Sequence, residues 1–491
     1  MQIMIFSMLA FLFVVKPAWA LELVKVATLP KGFSEFDAPL PVGDADHDGW
    51  QELYFAQTRP PFSLNIWEHW GQNSYQPVLI GEGTHPVALG DPDQDGMSDL
   101  LCAWNPPGGA FLLESLSSQE FPSEMVWYES IGGFLGIRGY FRDIDKDGNQ
   151  EMWIVPNDPD QIEVWENRGD NKYSQIALIT HPRMNPAVLA FGDFDQDGWE
   201  EIVTATVENL IFVWENRGDN IYDLVWNFEF SALDSLMVSG ARDLDGDGIS
   251  EFLITGRTTT FDHRIVIFEC IGDNTYEPVW EVQGEGMAYR IHVVVGDIDG
   301  DGVEEFAVAI PGVIQLYEAF GDNDFRLIGE VPYPPFKTGY GGSAITLADL
   351  NENGIDELIV LAPDAKHTLI YELADIQPPV LIQAFYPKLY EIQAGKKLKV
   401  RFELLNRTEE SKTISAWIEI YKGKGEGGPK GKPISTKYIL KDELLSPQIP
   451  RLVEEFKIKM PQETGNYTVQ LKVGGYPEEV IDTRWFTVKV K

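Results

Sequence analysis

Asp193-Phe194-Asp195-Gln196-Asp197-Gly198-Trp199-Glu200-Glu201 is followed at once by Ile202-Val203-Thr204-Ala205. Acids stand at positions 1, 3 and 5 of this stretch, glycine at 6 and a carboxylate at 9. Alternate carboxylates on a tight loop converge on one hard cation, and an all-oxygen ligand set favours calcium. Gly198 permits the reversal that folds the loop over the ion. The β-branched, apolar run that follows reads as a strand.

The loop occurs seven times, starting at Asp44, Asp91, Asp143, Asp193, Asp243, Asp297 and Asp349. The steps between starts are 47, 52, 50, 50, 54 and 52 residues. An EF-hand loop begins in a similar way, but it closes with Glu at position 12 and is flanked by helices. Here the acid sits at 9 and a strand follows. A period near 50 with several short strands per unit is the signature of a β-propeller blade.

A second landmark recurs inside each unit. Val164-Trp165-Glu166 leads to Gly169-Asp170-Asn171, and Val213-Trp214-Glu215 leads to Gly218-Asp219-Asn220. Ile267-Phe268-Glu269 leads in the same way to Gly272-Asp273-Asn274. Each is a strand that ends in a turn, with an aromatic residue opening the next strand. Four strands per blade follow: A enters the acidic loop, B leaves it, C ends in the aromatic-Glu pair, and D follows the turn. The seventh unit stops at Ile370-Tyr371-Glu372-Leu373 and lacks strand D. An orphan strand, Val24 to Pro30, stands at the front of the chain. The expected architecture is all-β: a seven-bladed propeller of four-stranded blades over residues 21–376, its ring closed by the N-terminal strand.

This pattern resembles the FG-GAP/VCBS repeat family, the calcium-loop propellers found in integrin α-subunits and in many secreted microbial proteins. Phe191-Gly192 before the fourth loop is the nearest match to the family's "FG". The resemblance implies up to seven structural calcium ions, each held by the side chains at positions 1, 3, 5 and 9 and the carbonyl at 7. In loops 1 and 2 the implied side chains are Asp44, Asp46, Asp48 and Glu52, then Asp91, Asp93, Asp95 and Asp99. In loops 3 and 4 they are Asp143, Asp145, Asp147 and Glu151, then Asp193, Asp195, Asp197 and Glu201. Loops 5 and 6 offer Asp243, Asp245, Asp247 and Glu251, then Asp297, Asp299, Asp301 and Glu305. Loop 7 offers Asp349, Asn351, Asn353 and Glu357, two charges fewer, and is expected to bind most weakly.

The formal net charge is −39. That speaks against a basic surface for nucleic-acid phosphates. Residues 21–376 hold 17 Lys and Arg against 63 Asp and Glu, whereas residues 377–491 hold 20 against 14. The shift places a domain boundary near Gln377-Pro378-Pro379. Beyond it, alternations at Leu398/Val400/Phe402, Ile414/Ala416/Ile418, Phe456/Ile458, Tyr467/Val469/Leu471 and Phe486/Val488 predict a small β-sandwich over 377–491. Thr464-Gly465-Asn466-Tyr467 resembles the late hairpin of immunoglobulin-like or fibronectin-III-like domains. Lys422 to Pro433 reads as a flexible basic loop.

Residues 1–20 read as a signal peptide, with an apolar core from Met4 to Val15 and Ala18-Trp19-Ala20 as its cleavage site. Twelve or so apolar residues are too few to span a bilayer, so no anchor is expected after cleavage. The expected location is secreted, at the cell surface or in a periplasm. Cys102 and Cys270 fall in blades 2 and 5, so no disulfide is expected. The Arg-Gly-Asp triplets at 168–170 and 217–219 lie in the repeat turn and read as part of it. No nucleophile elbow, phosphate-cradling loop or H-E-x-x-H helix is present, and no catalytic residue is assigned. The resemblance points to a ligand-recognition or adhesion module with structural calcium, its partner an extracellular polysaccharide or a surface protein. A polysaccharide-active lyase or hydrolase and a structural envelope component stay open as alternatives.

Overall fold

The computed structural model describes residues 21–30, 40–57, 63–82, 84–104, 109–131, 138–156, 161–181, 186–206, 209–231, 233–260, 262–284, 291–310, 312–332, 345–361, 367–475 and 479–491. The expected signal peptide, 1–20, lies outside them.

Among the described residues seven four-stranded antiparallel sheets form. Blade 4 shows the pattern, with strands Pro186–Gly192, Glu201–Thr206, Leu210–Asn216 and Tyr222–Glu229 in that spatial order. Burial follows the layer. Its strand B, Glu201–Thr206, and strand C, Leu210–Asn216, are buried at every residue, being covered on both faces. Strand D, Tyr222–Glu229, alternates between exposed and half-buried, because its outer side meets water.

The blades form a closed ring. Apolar clusters join adjacent blades in pairs, for example Val203 and Val213 of blade 4 with Ile254 and Phe268 of blade 5. One such cluster unites Ile359 and Ile370 of blade 7 with Leu53 and Phe55 of blade 1. The closing strand is the one expected. Leu23–Pro30 pairs antiparallel with His367–Leu373, from Leu23 opposite Leu373 to Pro30 opposite His367. Val26, Ala27 and Leu29 are buried there, so strand His367–Leu373 is covered and the seventh blade has its fourth strand.

Residues beyond the ring form a three-stranded and a five-stranded sheet that share one core. The five alternations seen in the sequence are all strands, and three more join them. Val380–Pro387 is buried on both sides. Val380 and Ile382 enter the sandwich core, while Leu381 enters the cluster between blades 7 and 1. A strand with two apolar environments shows no polar alternation. Ser435–Leu445 is an edge strand, largely exposed and polar, and was silent for the opposite reason. Glu391–Ile392 is a two-residue strand parallel to Glu479–Val490.

The two parts are tightly joined. Lys25 pairs with Glu403 at 3.0 Å, and the Gln383 amide donates to the Lys25 carbonyl at 2.9 Å. The backbone N–H groups of Trp485 and Thr487 donate to Ser74 and Gln76 of blade 1. The glycine-rich segment after Lys422 is not a free loop. Gly425 donates to Thr487, and Gly427 and Gly428 lie against Trp50 and Trp485.

Candidate metal centres

Every acidic loop connects strand A to strand B, so all seven lie on one face of the ring. Two backbone features shape each loop. The glycine at position 6 has positive φ throughout, from 84° at Gly96 and Gly354 to 97° at Gly198. Position 4 also takes the left-handed conformation, at His47, Gln94, Lys146, Gln196 and Glu352, with glycine filling it at Gly246 and Gly300. Non-glycine residues there carry a modest strain that the loop's hydrogen bonds hold in place.

Those bonds are internal to the loop. In loop 4, Gly198 N–H donates to Asp193 Oδ2 at 3.1 Å, Asp197 N–H to Asp195 Oδ1 at 3.2 Å, and Trp199 N–H to Asp197 Oδ1 at 2.8 Å. Glu201 is wholly buried, and its Oε2 accepts from Phe194 N–H at 2.7 Å. Glu201 Oε1 and Asp193 Oδ1 are buried with no partner. The bond from position 2 to position 9 recurs at Glu52, Glu151, Glu251, Glu305 and Glu357. The other oxygen of Glu52, Glu151, Glu251 and Glu305 is likewise buried and unpartnered.

Carboxylate oxygens from Asp193, Asp195, Asp197 and Glu201 lie within 4.8 Å of one another, and the corresponding sets of loops 1, 3 and 5 do the same. Burial, and then the neighbouring aspartates, push Glu201 up to about 9 from an ordinary 4.5, against the lowering bond from Phe194. Burial likewise raises Glu52 and Glu305 to about 9, and Glu151 and Glu251 to about 8. A buried carboxylate with an unanswered oxygen, facing two or three more acids, is suited to a hard divalent cation. The residues present fit such an ion.

Two loops depart from the pattern. In loop 7 the Asn351 amide donates to Glu357 Oε1, so the oxygen left free elsewhere is already answered. Burial, with Glu372 next to it, raises Glu357 to about 9. In loop 2, position 2 is Pro92, which has no N–H, and position 9 is the shorter Asp99. The group that forms there contains Asp93 and Asp95 with Glu114 and Asp170, two residues the loop motif does not contain.

The turn between strands C and D, on the same face, locks loops 2, 3, 4 and 5 to the next blade. Asn274 N–H donates to Asp195 Oδ2 at 2.9 Å, and its amide donates to Glu215 Oε2 at 2.7 Å. Asn171, Asn220 and Asn323 dock in the same way on loops 2, 3 and 5. The recurring Glu of strand C and Asn of the turn were legible as motifs, but their meeting across a blade boundary was not. The Arg-Gly-Asp arginines serve this turn: Arg168 pairs with Glu166 and Arg217 with Glu215. Cys102 and Cys270 are both free and buried.

Among the described residues, two of the cavities apart from the loops are sizeable. One of about 430 Å³ is lined by inner strands, among them Tyr140, Leu189, Met237, His292 and Ile345. The other, of about 660 Å³, opens between the ring and the C-terminal sheets and is lined by Trp67, Tyr386, Tyr390, Lys388 and Arg401 among others.

Residues 143–204, 193–254 and 243–308 match the family model of FG-GAP-like repeats. The match does not extend to residues 377–491. No curated protein matches the chain. Among solved structures, the chain is similar to BBS1N, crystallised in complex with ARL6DN and soaked with lead. The two are 12% identical with a TM-score of 0.50, over 72% of this chain and 98% of that one. A Lactobacillus plantarum protein is 14% identical with a TM-score of 0.45, over 61% and 86% of the two chains. The periplasmic gluconolactonase PpgL of Pseudomonas aeruginosa is 13% identical with a TM-score of 0.44, over 64% and 97%.

Proposed function

From a chain that carries FG-GAP-like repeats on a seven-bladed ring, we propose an exported recognition module whose acidic loops hold structural calcium. The observation that carries the calcium reading is the position-9 glutamate. It is buried, with one oxygen bonded to the loop's own N–H and the other unpartnered in five of the six loops that have it. The arrangement repeats around one face, which suits a set of staples rather than a single reacting centre. A calcium concentration of ten times Kd stabilises the fold by about 1.4 kcal/mol per site. Among the described residues no helix is long and apolar enough to cross a membrane.

The recognition surface in this reading is the cavity between ring and sandwich. Tyr386 and Tyr390 offer rings, and Lys388 and Arg401 offer donors, to an extracellular polysaccharide or a surface protein. The test offers the protein, with and without calcium, to a panel of polysaccharides and surface extracts, scoring retention and released product. Calcium-dependent retention without product is the expected result. Release of oligosaccharide would replace the reading with a polysaccharide-active enzyme, and no retention at all would favour a structural envelope role.

A further inference from the structure

Loop 2 is built differently from its neighbours, and the differences act together. In the other six loops the position-9 glutamate gives one oxygen to the N–H of position 2. Pro92 removes that donor, and Asp99 is wholly buried with neither oxygen partnered. After its own burial, the charges that bear most on Asp99 are Asp93 and Glu114. The hydroxyl of Tyr173, on blade 3, is buried and unpartnered, as are those of Tyr222 and Tyr276 beside loops 3 and 4.

Asp93, Asp95 and Glu114 of blade 2 meet Asp170 of blade 3 with one oxygen of each within 4.8 Å of the others. Asn171 orders the group, its N–H donating to Asp93 at 2.9 Å and its amide to Glu114 at 2.6 Å. Its own Oδ1 is left buried and unpartnered, as are those of Asn220, Asn274 and Asn323. The equivalent glutamates of blades 3 and 4, Glu166 and Glu215, are each neutralised by an arginine two residues on, Arg168 and Arg217. After Glu114 that place is held by Leu116, 63% exposed, as it is by Ile271 after Glu269 in blade 5.

We infer that a divalent cation, calcium by its all-oxygen ligands, bridges blades 2 and 3 through Asp93, Asp95, Glu114 and Asp170, with Asp99 behind them. The ion does between these blades what an arginine does at Glu166 and Glu215. The acid of one Arg-Gly-Asp triplet is thereby a bridging ligand.

The inference rests on the loops being cation sites, and the experiment separates the two. Calcium bound per chain is counted by equilibrium dialysis, and melting is followed in calcium and in chelator. The chains compared are wild type, Leu116→Arg, Asp170→Asn and Asp219→Asn. Leu116 is exposed, so arginine there disturbs no packing and supplies the missing guanidinium. Leu116→Arg and Asp170→Asn should each lose one calcium, or bind it at least tenfold more weakly. Leu116→Arg should also melt higher than wild type in chelator. Asp219→Asn should keep the wild-type count. Unchanged counts in both Leu116→Arg and Asp170→Asn overturn the bridge alone, as does an equal loss in Asp219→Asn. A wild-type chain that takes up no calcium overturns the bridge and the calcium reading together.

Discussion

Glu201→Gln separates the two roles of the buried position-9 carboxyl. Glutamine keeps the carbonyl oxygen that accepts from Phe194 N–H at 2.7 Å. It places an amide N–H donor where the unpartnered Oε1 now faces Asp193 and Asp195. Without calcium at pH 7.5, the unfolded chain ionises Glu201 while burial keeps the folded carboxyl protonated up to about 9. Holding a proton about three pH units above the ordinary value of 4.5 costs about 4 kcal/mol. Glutamine carries no such cost, and relaxation and residual denatured-state structure leave only part of that free energy for it to recover. With calcium the variant lacks an anionic ligand. A hundredfold loss of affinity at this one site removes about 2.7 kcal/mol of calcium-dependent stabilisation once calcium is saturating. Urea unfolding followed by tryptophan fluorescence reads both effects. The variant should be more stable than wild type in chelator, and should gain less than wild type on adding calcium. A variant less stable than wild type in chelator, with an undiminished calcium response, would refute the reasoning.

The same carboxyls set a pH dependence. Folded values raised to about 8 or 9 at Glu52, Glu151, Glu201, Glu251 and Glu305 mean that the ion-free fold binds more protons than the unfolded chain above 4.5. Its stability is therefore fully present below 4.5 and falls as pH rises toward 9. Calcium should flatten that fall, and melting curves across the range in chelator and in calcium check it. Asn351→Asp frees the Glu357 oxygen now bound by the amide and adds a charge to loop 7; its calcium isotherm should strengthen by one site. Deleting residues 21–30 uncovers strand His367–Leu373 and removes the buried Val26, Ala27 and Leu29. Size-exclusion chromatography should then show association through the bare edge, and a monodisperse monomer would count against ring closure by this strand.

Much of the fold was legible because repetition makes a weak local signal strong. One acidic loop is ambiguous, but seven near a 50-residue period, each followed by an apolar run, specify blades. The missing strand D of the seventh unit and the orphan strand at Val24 together implied the closure that Leu23–Pro30 provides. Strands without alternation were hidden. Val380–Pro387 is apolar on both faces because it serves two cores, and Ser435–Leu445 is polar because it lies at an edge.

The sequence by itself determined which residues bend, which alternate and which carry charge, since these depend on local backbone preference and side-chain period. That was enough for the blades, for the acidic loops and for the order of the strands within each blade. The tertiary structure alone decided what meets across blade boundaries. Asn274 on Asp195 and Glu215, Asp170 beside Asp93 and Glu114, and Gly427 against Trp50 join residues far apart in the chain. No local pattern encodes such contacts, because the ring's closure sets which blade neighbours which and so which oxygens share a site. Within loop 2, Pro92 and Asp99 were visible from the start, but their meaning rests on a donor that is absent and on burial that only the packed ring supplies.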